Sequence, residues 1–212
     1  FCGGVFSLAA WAGPQVSELV LFTAEPAELT NAHYGSKGML YFSGGTGINQ
    51  EPWMSDGTKS GTKLLKEVNS SASAGSQPRD FLYSGLMASG GWVLFTADDG
   101  SAKGRQIWIH RLASGIVERY DGIVEGTLGT NPRNLTNLFV SRYNELPYDL
   151  ETVFFAFDHP DSGTELARLD KDLTGPRVRF RYSNINPIAG AGSSPQDFAL
   201  GSHLFEPENH LP

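Results

Sequence analysis

The sequence predicts an all-β chain assembled from small antiparallel four-stranded sheets, and three observations carry that expectation. Among 212 residues, 25 Gly and 12 Pro punctuate the chain too often for long helices, which tolerate neither in their interiors. Short β-prone runs such as Val93-Leu94-Phe95 and Val153-Phe154-Phe155 lie between Gly/Asp turns. These strand, turn and strand segments also recur, and internal similarity at a fixed spacing signals a repeat architecture.

Composition narrows the function classes. Sixteen basic against twenty-three acidic residues leave a net charge of −7. That balance opposes nucleic acid or an anionic membrane as principal partner, since both need concentrated positive charge. Cys2 is the single cysteine, so neither an intramolecular disulfide nor a Cys-based zinc site is expected. No apolar stretch is long enough to span a bilayer as a helix. The opening FCGGVFSLAAWAG contains the small-x-small pattern Ala10-Trp11-Ala12 of a signal cleavage site but no basic leader, and it reads as a strand.

Three segments align without gaps at their starts: LYFSGGTGINQEPWMSDGT from Leu40, VLFTADDGSAKGRQIWIHR from Val93 and VFFAFDHPDSGTELARLDK from Val153. Each opens with a strand, crosses a Gly/Asp turn and enters a second strand. A second motif follows each copy: GSQPRDF from Gly75, GTNPRNL from Gly129 and GSSPQDF from Gly192. Their prolines at 78, 132 and 195 set intervals of 54 and 63 residues. Strands apolar at consecutive positions need cover on both faces, as happens when small sheets stack. Asp56-Gly57 and Asp99-Gly100 suit tight hairpin turns that require positive φ. Such units describe the blades of a β-propeller-like array. The expected divisions are 14–77, 78–131 and 132–194, with 1–13 and 195–212 as partial or closing strands. The strand around Val5 to Ala10 and the residues from Pro195 onward either complete a minimal fourth unit or belong to a larger ring.

The stretch Glu51-Pro52-Trp53-Met54-Ser55-Asp56-Gly57-Thr58, followed by Gly61-Thr62, resembles the ELWxxDGTxxGT repeat of secreted and cell-surface proteins, many of them bacterial. Leu94-Phe95-Thr96-Ala97-Asp98-Asp99-Gly100 and Gly104-Arg105-Gln106-Ile107-Trp108 are similar to its lead-in and its ELW core. The chain departs from the pattern at Pro52, in the second copy, which lacks DGT, and at Ala167, where tryptophan is expected. The resemblance implies a blade scaffold and a secreted or surface location, and leaves activity open.

Chemistry is sparsely signalled. Gly57 and Gly61 are too close, and Thr62 precedes Lys63, so the loop is not a phosphate-binding P-loop. Asp98, Asp99, Asp158 and Asp161 fall in corresponding turns and are the weak candidates for calcium, with turn capping the favoured reading. Five histidines (33, 110, 159, 203 and 210) form no close metal pair, and no G-x-S-x-G elbow exposes a serine. His203 and His210 share the tail with Glu206 and Glu208. Trp53 and Trp108 occupy one repeat position and read as packing residues. Trp92 follows Gly90-Gly91 and is the surface candidate for stacking on a ligand, together with Asp98, Asp99 and Asp158. Asn69-Ser70-Ser71 and Asn134-Leu135-Thr136 match the glycosylation pattern, with Asn69 expected accessible and Asn134 partly covered.

The expected function is that of a non-catalytic extracellular scaffold, adhesion or assembly module. It needs no cofactor beyond a possible calcium ion, and its partners are other chains or copies of itself. A lectin-like protein binding glycans or small ligands through loop Asp and Trp residues is the second reading. A propeller hydrolase or lyase is the third.

Overall fold

The structure is a computed structural model that describes residues 28–32, 38–71, 74–84, 91–120, 130–140, 150–171, 178–188 and 190–198. The strand expected around Val5 to Ala10, Trp11, His33 and the tail residues His203, Glu206, Glu208 and His210 lie outside them. All regular structure among the described residues is β.

Among the described residues, twelve strands form three four-stranded sheets. The first holds β1 (Glu28–Ala32), β2 (Met39–Thr46), β3 (Asn49–Ser55) and β4 (Lys63–Leu64); the second holds β5 (Arg79–Ser84), β6 (Trp92–Asp98), β7 (Arg105–Arg111) and β8 (Ile116–Arg119). The third holds β9 (Arg133–Val140), β10 (Leu150–His159), β11 (Gly163–Lys171) and β12 (Val178–Ser183). Each sheet is an antiparallel meander in chain order. The E-x-W pattern sits on the third strand each time: Trp53 pairs Phe42, Trp108 pairs Phe95 and Ala167 pairs Phe155.

Because β6 is apolar at successive positions, it buries both faces. Val93, Phe95 and Ala97 join Tyr41, Val68, Phe81 and Trp108 in a core between the first and second sheets. Trp92 and Leu94 join Ile107, Ile109, Val153, Phe155, Phe157, Ala167 and Leu169 between the second and third. Trp108 and Ala167, equivalent in the repeat, each face the preceding sheet. The expected packing role of the E-x-W position is therefore seen directly at Trp108, 7% exposed.

The proline motifs stitch the sheets together. Their backbones adopt one conformation: φ is 49° at Gln77, 41° at Asn131 and 47° at Ser194, each just before proline. Two residues past proline, Asp80, Asn134 and Asp197 have φ of 55°, 59° and 51°. Asn and Asp tolerate this left-handed region better than most side chains. Ser76 shows the joint. Its N–H and hydroxyl donate to the buried Glu51 carboxylate at 2.9 and 2.7 Å, while its carbonyl accepts from Asp98 N–H at 2.9 Å. Thr130 accepts in the same way from Asp158 N–H at 2.7 Å. Successive sheets also touch through the motif itself, where Asp80 Oδ1 accepts from Asn134 N–H at 3.0 Å, one 54-residue repeat away.

Candidate functional site

The loop that opens the D-G-T motif is closed by its own side chains. Asp56 Oδ1 accepts from the backbone and hydroxyl of Thr58, Thr58 Oγ1 accepts from Gly61 N–H, and the Thr62 hydroxyl donates to Thr58 carbonyl at 2.6 Å. Gly57 N–H donates to the Ser55 hydroxyl. These N–H groups are spent inside the turn, which is a physical reason the glycine cluster is not an anion cradle. A Cβ at Gly61 would lie 1.9 Å from Asp56 Oδ1, so any side chain there forces the carboxylate aside.

The carboxylates expected to form a ligand or calcium site are engaged locally. Asp98 Oδ1 accepts from Gly100 N–H at 2.8 Å. Asp99 accepts from Ser101 N–H and pairs with Arg119 at 2.9 Å. Partial burial opposes ionisation of Asp99, but the Ser101 hydrogen bonds and the Arg119 guanidinium outweigh it and hold the carboxyl below its ordinary range. Asp158 is gripped by Thr164 at 2.7 Å, Arg133 at 3.0 Å and Asn131 at 3.0 Å. Partial burial is again outweighed, by Thr164, Asn131 and Arg133, so its carboxyl also titrates low. Asp161 is exposed, and its N–H caps His159 Nδ1 at 3.2 Å. Among the described residues, no three His, Cys, Asp or Glu side chains converge as metal ligands.

Three expectations about exposure are corrected. Trp92 is not a surface residue: it is 4% exposed within the core between the second and third sheets, with the Arg111 guanidinium 4.6 Å from its ring centroid. Its strand position, opposite Arg111 on a face covered by the third sheet, decides this over the preceding glycines. Asn69 is buried, because its N–H and that of Val68 turn inward to Glu51. Asn134 is exposed, its left-handed backbone turning it out of the strand.

Two sets of residues were not singled out from sequence. One comprises the buried acids of the E-x-W pattern. Glu51 accepts from Val68 N, Asn69 N and both donors of Ser76, and Glu165 accepts from Ile185 N at 3.1 Å and the Ser193 hydroxyl at 2.7 Å. The pairing of Glu51 with Ser76 and Glu165 with Ser193 repeats, so the acid of one motif organises the serine of the other. Gln106 holds the same place in the second unit and instead donates to Lys103 and Arg105 carbonyls.

The second set lies on the face of the third sheet opposite Phe155. Asp170 Oδ1 accepts from the Thr152 hydroxyl at 3.1 Å, and its Oδ2 pairs with Arg168 Nε at 3.1 Å and Arg181 Nε at 3.6 Å. Repeat alignment marks one member of this set, Arg168, which occupies the place of Met54 and Ile109. A half-open cavity of about 230 Å³ adjoins it, walled by Phe154, Leu166, Arg168, Arg181 and Ser183.

No family profile, curated protein or solved structure matches this chain.

Proposed function

We infer that the chain is a β-propeller-like scaffold of the ELWxxDGT type, secreted or surface-exposed, that works by protein contact without chemistry of its own. The observation that carries this reading is the shared backbone conformation of the three proline motifs, joined to sheets whose facing sides pack as common cores. Sheets stitched in this manner form a rigid platform, and the candidate loop carboxylates spend their oxygens on holding turns. The glycan reading loses Trp92 as its stacking surface.

Two measurements test the reading. Small-angle X-ray scattering should give the compact profile of sheets arranged about an axis, and an elongated rod would overturn the propeller arrangement. A panel of glycosides, esters, peptides and polyuronates should show no turnover. Turnover that is lost in Asp158→Asn would replace the scaffold with an enzyme.

A further inference from the structure

We propose that the outer face of the third sheet is a recognition site for an extended acidic peptide, with one glutamate side chain seated between Arg168 and Arg181.

The repeat supplies the comparison that isolates this site. On the equivalent side of the second sheet, Trp92 and Ile109 are covered by the third sheet. The third sheet places Thr152 and Arg168 at those two positions, and no stacking requirement of the fold calls for either. Asp170 draws both guanidiniums together by their Nε atoms, yet it does not line the cavity, whereas both arginines do. Among the described side chains, two guanidiniums against one carboxylate leave an excess of positive charge at the cavity in a chain whose net charge is −7. Held at Nε, each guanidinium retains Nη donors, and a planar fork of this kind suits a carboxylate.

The walls select among carboxylates. Phe154 and Leu166 offer apolar contact for the methylene stem of glutamate, and about 230 Å³ accommodates one side chain rather than a larger ligand. A sugar acid would bring several hydroxyl groups and meet few additional polar partners. β12 also forms the edge of its sheet, with no strand on its far side among the described residues. An added strand there would gain main-chain hydrogen bonds and place alternate side chains beside Arg181. At six residues, β12 is longer than the outer strands β4 and β8, which have two and four.

This inference rests on the contact reading above and supplies one partner for it. Fluorescence anisotropy with a labelled peptide alternating glutamate and valine, and with its glutamine counterpart, tests it. The glutamate peptide should bind in saturable fashion, more weakly at higher salt, and the glutamine peptide should not bind. Arg181→Gln should weaken binding by at least about tenfold. Arg181 is more than half exposed, so the variant should keep the parent's circular dichroism and melting temperature. Arg181→Lys, which preserves charge but not the fork, should fall between the two. The proposal is overturned by absence of binding, by equal binding of the glutamine peptide, by an unaffected folded Arg181→Gln protein, or by preference for an oligogalacturonate. None of these outcomes alters the scattering profile or the turnover panel, so the scaffold reading stands or falls separately.

Discussion

At the scale of single residues, the buried acids of the E-x-W pattern carry more of the structure than their number suggests. Glu51 is 5% exposed and receives four hydrogen bonds from the segment that leads to the next sheet. Glu51→Gln would present an amide donor where donors already converge, leaving at least one buried N–H unpaired. The expected loss is about 1.5–3 kcal/mol, the range for hydrogen bonds to a charged group, measured by urea denaturation. A variant as stable as the parent would remove Glu51 from this role. Gly61→Ala acts more locally. Its Cβ would displace the Asp56 carboxylate that caps Thr58, so a loss of about 1–2 kcal/mol is expected, again from the urea midpoint. Trp92 shows where reading by residue fails: two glycines before it resembled a loop, but exposure was set by a sheet that lies next in space. Trp108 was legible because tryptophan recurs at its repeat position, although Trp53 at the equivalent place is only partly buried.

Between elements, the first and second sheets meet through a polar pair set within their apolar core. Tyr41 hydroxyl lies 3.1 Å from His110 Nδ1, and both residues are buried. Burial, then the charge of Lys63, lowers the His110 pKa, and burial pushes the Tyr41 phenol up to about 12. A neutral imidazole therefore meets a protonated phenol, and the imidazole tautomer sets which of the two donates. Below the ordinary histidine pKa of about 6.5, the unfolded chain takes up a proton more readily than the folded one, so stability falls as pH falls. Above about pH 10, the unfolded tyrosine ionises first, so stability also falls as pH rises toward the folded value. Urea midpoints should drop between about pH 7 and pH 5, and the drop should shrink in His110→Phe. An unchanged acid dependence in that variant would exclude His110 as its source. The strand, turn and strand pattern and the motif spacing were legible in the sequence because turns and alternation are local. The Tyr41 to His110 contact spans 69 residues and the Thr152, Arg168, Asp170 and Arg181 group draws on three strands, so neither leaves a local trace.

Across the whole molecule, the second sheet is shared by two cores, one on each face. Loss of either core exposes a side of that sheet, and the three sheets should therefore unfold in one cooperative transition. Phe155, with no exposed surface, lies in the core between the second and third sheets. Phe155→Ala should cost about 3–5 kcal/mol and lower the midpoint of the single transition followed by tryptophan fluorescence. Two separate transitions in the parent would show that the sheets are independent. The joint between Asp80 and Asn134 has a further implication, since its acceptor and donor stand at the same place in consecutive copies. A copy of the first motif placed in tandem would arrive already carrying half of this fastening, so such a chain could lengthen there without devising a new seam.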